Sequence, residues 1–123
     1  MPLYTVTTEE GSLSDKQRDQ ISAEIVRIHT EVMHVPINFV HAIFSTYSRR
    51  DGYAAGKIAA VASITAIIRA GHSSEEKVRL IKTIWTMFQG ITGASDSDFS
   101  VALLEVPASQ AMENGVIMPE VGH

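Results

Sequence analysis

The sequence predicts an α+β domain: two consecutive β-α-β units forming a four-stranded mixed sheet with both helices on one face. Three observations predict it. Short runs of alternating polarity flank longer stretches whose apolar residues recur at helical spacing. Two capping-box patterns, Ser14 with Gln17 and Ser73 with Glu76, open those longer stretches. The strand patterns that follow them centre near Val40 and Val101, at about the same separation as the two serines, so the chain reads as one unit repeated. Residues 1–123 then make one domain with pseudo-repeat halves 1–57 and 58–123.

Pro2 to Thr7 reads as the first strand, with Leu3, Thr5 and Thr7 on one face and Tyr4 and Val6 on the other. Gly11 breaks it. Ile21, Ile25, Ile28 and Val32 then follow Ser14 at helical spacing and predict a helix over Asp15 to Met33, which Val35-Pro36 ends. Phe39 to Ser45 is the second strand. Thr46 to Lys57 is expected to be a loop with a short hairpin near Tyr53. Ala60 to Arg69, rich in branched residues, is a buried strand ending at a Gly71 turn.

The second helix starts after Ser73. It carries two apolar stripes, Val78, Ile81, Trp85 and Phe88 on one and Leu80, Ile84, Met87 and Ile91 on the other. It must therefore be buried on two sides, and Gly90 and Gly93 close it. Asp98 to Glu105 is the fourth strand, and a tail of small and polar residues begins at Val106-Pro107. Each unit needs its helix as a right-handed crossover to bring its two strands parallel. With both helices on one face, the other face is open. The apolar runs Val40, Ala42, Phe44 and Ile64, Ala66, Ile68 are expected to make that face unsuited to water, which predicts a homo-oligomer.

Composition narrows the function. A net charge of −4 gives no basic footprint for nucleic acid. The absence of cysteine excludes disulfides, zinc thiolates and a thiol nucleophile. His29 and His34 are five apart and His41, His72 and His123 are scattered, so no pair has the helical spacing of a zinc site, and no metal or cofactor is expected. The longest apolar run, Ile58 to Ile68, is too short to span a bilayer, and no charged-then-apolar leader opens the chain, so a cytoplasmic protein without a membrane partner is expected. Pro2 has two readings. It either starts an edge strand, where a missing N–H is tolerated, or, with Met1 removed, is a secondary amine able to shuttle protons near neutral pH.

An N-terminal Met-Pro on a strand, followed by a duplicated β-α-β unit, resembles the tautomerase superfamily, whose members use the amino-terminal proline as catalyst. Three stretches narrow the likeness to the cis-3-chloroacrylic acid dehalogenase branch. His29, in Ile25-Val26-Arg27-Ile28-His29, falls at that branch's active-site histidine; Ile67-Ile68-Arg69-Ala70-Gly71 looks like its arginine turn; and Val106-Pro107-Ala108-Ser109-Gln110-Ala111-Met112-Glu113-Asn114-Gly115 looks like its tail with the catalytic glutamate. The resemblance implies a homotrimer acting on a small-molecule carboxylate. Two positions depart from the pattern: His72 stands where a second arginine is expected, and Ala102 where a tyrosine is expected.

What the resemblance implies for each residue can be set beside its ordinary reading. Pro2 would be general base and acid, or only a strand start. Arg69 would grip a carboxylate through its paired donors, or form a surface ion pair. His29 would donate to the substrate, or be a core histidine with one hydrogen bond. Glu113 would activate water or orient substrate, or be a solvated tail residue, and His72 would be a weaker second anion contact. The function expected is enol-keto tautomerisation of a small 2-oxo acid such as a phenylpyruvate-type enol. Hydration or dehalogenation of 3-haloacrylates is the alternative, expected to be weak or absent given His72 and Ala102. A non-catalytic trimeric interaction protein is the third reading.

Overall fold

The computed structural model describes residues 1–121; His123 lies outside them. In chain order the first unit comprises β1 (Leu3–Glu9), α1 (Asp15–Met33), β2 (His41–Tyr47) and a hairpin of β3 (Tyr53–Ala54) with β4 (Lys57–Ile58). The second comprises β5 (Ala62–Arg69), α2 (Ser74–Thr92), β6 (Phe99–Val106) and a hairpin of β7 (Met112–Glu113) with β8 (Val116–Ile117). The large strands form one sheet in the order β2-β1-β5-β6. β1 runs parallel to β2 and β5 parallel to β6, while β1 and β5 meet antiparallel at the centre, with Thr5 opposite Thr65. This is the mixed sheet that the repeated crossover unit predicts.

Both helices begin as their sequences dictate. Ser14 and Ser73 each accept the N3 backbone N–H while Gln17 and Glu76 reach back to the capping residue's own N–H. They end on left-handed residues, His34 at φ 56° and Gly93 at φ 73°. Gly90 therefore lies inside α2 rather than closing it, because the chain turns only where a left-handed residue can terminate the hydrogen-bond ladder. Ile21, Ile25, Ile28 and Val32 of α1 and Leu80, Ile84 and Phe88 of α2 pack with Tyr4, Val6, Ile64, Ala66 and Ile68 into one core. The stripe of Leu80, Ile84, Met87 and Ile91 is buried or half-buried throughout, while in the other stripe Phe88 is buried, Ile81 and Trp85 are half-buried and Val78 stays 49% exposed. Among the described residues no helix is long and apolar enough to cross a membrane.

Two expectations need correction. The second strand begins at His41, not Phe39, because Pro36 starts a single 3-10 turn closed by the Phe39 N–H on the Pro36 carbonyl at 3.1 Å. More consequentially, Val40, Ala42, Phe44, Ile64, Ala66 and Ile68 belong to the helix-covered core, not to the open face. Register decides this. Tyr4 pairs with Ala42 and Ala66, and Val6 with Phe44 and Ile64, so all of these side chains point the way the buried Tyr4 and Val6 point. The open face carries the opposite parity, including Ile43 and Leu104, each 54% exposed, together with Thr5 and Thr65. It is apolar enough to leave large side chains in water, but less so than the sequence pattern suggested.

Candidate active site

The chain's amino terminus meets its tail. Pro2 is buried immediately ahead of β1, and its carbonyl accepts the His41 N–H at 3.1 Å, so it is tied into the sheet beside β2. Its own nitrogen is the amide of Met1 here. Met1 leans on a small cluster of Ala108, Ala111 and Met118 joined by Val106, and its ammonium is ion-paired with Glu113. Partial burial, helped by the charge of Arg69, lowers that amine from the ordinary 8.0 to about 6. The first positions of the chain thus sit in an environment that disfavours a protonated amine.

Glu113 is brought there by a turn that the sequence reading passed over. The tail is not a loose strap. Asn114 and Gly115 adopt φ 52° and 78°, the two positive values of a two-residue hairpin, and set β7 against β8. The Asn-Gly pair was the available signal. The 3-10 turn Ala108–Gln110 and the Met118 N–H to Ala111 carbonyl bond at 2.8 Å fold this hairpin back over the N-terminus of its own chain. Glu113 is consequently only 19% exposed, with Oε1 on the Met1 ammonium and Oε2 buried without a partner. An unpartnered buried carboxylate oxygen is a costly feature that a bound donor would relieve.

Arg69 and His72 approach from the end of β5. Arg69 is the last strand residue, opposite Val106, and its Nη1 donates to the Pro119 carbonyl at 2.6 Å. Gly71 at φ 117° makes the turn, with its Cα side so close to Val121 that a Cβ would meet it at 3.2 Å. His72 is buried at the start of the following loop. Its Nδ1 has no hydrogen bond, and Glu76 stands 3.9 Å away. Burial is the main reason its pKa falls below the usual histidine value, and Arg69 adds to this against the pull of Glu76. His72 is therefore a neutral imidazole with a free nitrogen near neutral pH, rather than a substitute for a guanidinium.

His29 comes from the last third of α1 and is 1% exposed. Its Nδ1 lies 2.8 Å from the Tyr4 hydroxyl, so it has the single hydrogen bond that a core histidine needs. Burial first, then the nearby His72 and the amino terminus, lower its pKa to about 3. Those two electrostatic neighbours place it on the same side of the core as the other groups. The structure thus gathers the Met1-Pro2 segment, His29, Arg69, His72 and Glu113 around one end of the central strands. Tyr4 joins them. The alternation of β1 already placed its ring in the core with Val6, where a buried hydroxyl requires a partner.

Ala102 is elsewhere. It lies on β6 opposite Thr65, exposed on the open face of the sheet. Among the described residues no three acidic or histidine side chains converge as a metal-ligand set.

The equivalent positions of the two β-α-β units do not carry the same groups. Each position maps onto the one 59 residues later, as Ser14 maps onto Ser73 and Gly56 onto Gly115. On that mapping Val61 stands in the place of Pro2, Phe88 of His29, Leu13 of His72 and Ala54 of Glu113. Leu13, Val61 and Phe88 line a small cavity of about 130 Å³ at the opposite end, with Ala60, Ala62 and Ala94 beside them. At that opposite end the equivalent positions carry apolar side chains.

A family model described as "Putative oxalocrotonate tautomerase enzyme" matches residues 1–123. Among solved structures, native Ps01740 is 33% identical over 90% of this chain and 99% of that one, with a TM-score of 0.88. N1, a member of the cis-3-chloroacrylic acid dehalogenase family, is 23% identical over 98% of this chain and 85% of its own, with a TM-score of 0.93. The Q0 fused 4-OT, a wild-type symmetric trimer, is 23% identical over 94% of both chains, with a TM-score of 0.84. No curated protein sequence matches the chain.

Proposed function

The chain belongs to the tautomerase superfamily, and from that premise we propose that it is an enol-keto tautomerase of small 2-oxo acids, acting through Pro2 once Met1 has been removed. The observation that carries the reading is the convergence of the amino-terminal segment with Arg69 and Glu113, where burial and the guanidinium depress an amine's pKa. A neutral secondary amine there would take the enol O–H proton. The carbon–oxygen double bond then forms while the enol double bond returns its electrons to C3, and the ammonium delivers the proton to that carbon. Arg69 would hold the carboxylate through its paired N–H donors. His29 would donate to the developing oxyanion, Glu113 would orient the substrate, and His72 would be a weaker second contact for the anion.

Dehalogenation of 3-haloacrylates makes larger demands. It needs water activated by Glu113 and a carboxylate held firmly while halide leaves, and a neutral His72 in place of an arginine weakens that grip. Ala102 offers no hydroxyl. We expect such turnover to be weak or absent. A homotrimer completes the proposal, since the open face leaves Ile43 and Leu104 in water and a fused 4-OT of the same fold is a trimer.

The test is intact mass followed by a pH–rate profile for ketonisation of an aryl enolpyruvate. Protein lacking Met1 should turn over the enol, and Pro2→Ala in the same processed form should lose most of the rate. A retained methionine would leave Pro2 an amide and favour the non-catalytic trimeric interaction protein instead. Faster release of halide from a cis-3-haloacrylate than ketonisation would reverse the order of the two enzymatic readings.

A further inference from the structure

One buried polar group in this region has no task in the proposed reaction: the hydroxyl of Tyr4. Tyr4 is fully buried on β1, two residues after Pro2. Its ring stands edge-on to His29, with planes at 87° and centroids 5.6 Å apart, and its Oη is 2.8 Å from Nδ1. Which group donates follows from what each can satisfy. A phenol has one O–H to place, and a neutral imidazole has one N–H and one bare nitrogen. Were His29 to donate from Nδ1, the Tyr4 O–H would point into the core without an acceptor. An orphaned buried donor costs about 1–3 kcal/mol, and an under-used oxygen lone pair is the lesser defect.

Tyr4 therefore donates to Nδ1, and the ring proton of His29 sits on Nε2. The arrangement is held from both sides. Burial keeps the His29 ring neutral, with a pKa lowered to about 3. Burial also raises the pKa of the Tyr4 phenol, which stays protonated and able to donate. Nε2 has no hydrogen bond to the described residues and is not sealed in the way that His72 Nδ1 and Glu113 Oε2 are, so its N–H reaches water or a ligand. A displaced Tyr4 O–H would instead be orphaned in the core.

We infer that Tyr4 is a positioning residue: through its O–H to Nδ1 bond it locks His29 in the Nε2–H tautomer and fixes that N–H as a neutral donor to the 2-oxo oxygen of the substrate. The inference rests on the tautomerase reading for its substrate, but its geometry stands independently. A neutral donor suits an oxygen that is negative only during proton transfer, because it stabilises the charge without giving up its own proton. The opposite end of the molecule lacks the device. On the 59-residue mapping, Ser63 replaces Tyr4 and Phe88 replaces His29.

The experiment uses Met1-free protein with ¹⁵N-labelled histidine. Two-bond proton–nitrogen correlation spectra should show His29 protonated at Nε2 from pH 5 to 8, and Tyr4→Phe should mix the tautomers. For ketonisation, Tyr4→Phe should lower kcat about tenfold with little change in KM, the effect expected of losing a partner that orients an acting group. The double variant Tyr4→Phe/His29→Gln should be no slower than His29→Gln alone, since Tyr4 acts only through His29. An Nδ1–H tautomer in the wild type, or Tyr4 and His29 effects that multiply in full, would overturn the inference. The nitrogen spectrum decides the wild-type tautomer even if Tyr4→Phe fails to fold. Wild-type protein with the Nε2–H signature but no ketonisation would overturn the tautomerase reading and the donor role with it, leaving only the structural lock.

Discussion

His29 and Phe88 occupy the same place in the two halves of the molecule. Each is the fifteenth residue of a 19-residue helix with a serine capping box, and each is 1% exposed. His29 meets the Tyr4 hydroxyl at 2.8 Å, whereas Phe88 packs on Phe99 with ring centroids 5.0 Å apart. The two β-α-β units thus present two equivalent interior positions, one polar and one apolar.

This asymmetry predicts that the Phe88 end contributes stability and not turnover. Phe88→His places an imidazole where no tyrosine awaits it and should destabilise the protein by about 2–4 kcal/mol in urea unfolding. Its kcat/KM for enol ketonisation, measured well below the unfolding midpoint, should match wild type. A large loss of kcat with unchanged stability would mean that this end takes part in the reaction.

Arg69 should act on the amine as well as on the substrate. Its positive charge lowers the pKa of the amino terminus, so replacing it with glutamine should raise that pKa. With the amine in its proposed role of neutral base, the ascending limb of the kcat/KM profile should move to higher pH in Arg69→Gln. KM should rise at every pH, reflecting the lost carboxylate contact. A profile that shifts to lower pH would contradict the assigned electrostatics.

Stability should depend on pH through His29. Its folded pKa of about 3 lies below the 6.5 of an unfolded histidine, so between those values the unfolded chain binds a proton that the folded chain refuses. Below pH 6.5 this single group should cost up to about 1.4 kcal/mol per pH unit, and above it nothing. Urea midpoints at pH 7.5 and 5 should therefore differ less in His29→Gln than in wild type. His72, lowered in the same direction, leaves some slope in both proteins.

The open sheet face should govern assembly. Ile43 on β2 and Leu104 on β6 are each 54% exposed in the single chain. Ile43→Asp with Leu104→Asp should convert a trimer into monomers in sedimentation velocity, while far-UV circular dichroism stays unchanged because neither side chain belongs to the core. An intact trimer in the double variant would place the subunit contacts elsewhere.

Much of this was legible in the amino-acid order. Both helices follow from local rules, because a serine and a glutamine or glutamate three residues on satisfy the same orphan N–H groups wherever they occur. The repeat was legible because the capping serines recur at a fixed interval. Pro2, His29, Arg69 and Glu113 are candidates through their likeness to a known pattern, and what the structure adds is that they lie at one end of the sheet. The hairpin at Asn114-Gly115 was also written in the sequence, but in a tail whose composition resembles a linker.

The sequence by itself determined the elements, their repetition and the residue types available for chemistry, since capping, periodicity and turn preference act over a few neighbours. Only the tertiary structure decided which parity of each strand faces the helices, because that depends on register between strands far apart in the chain. Only it decided that Glu113 returns to the amino terminus of the same chain, and that the Tyr4 hydroxyl has His29 as its partner. Those contacts join residues between 25 and 112 positions apart, a range at which no local preference operates and packing alone selects the neighbour.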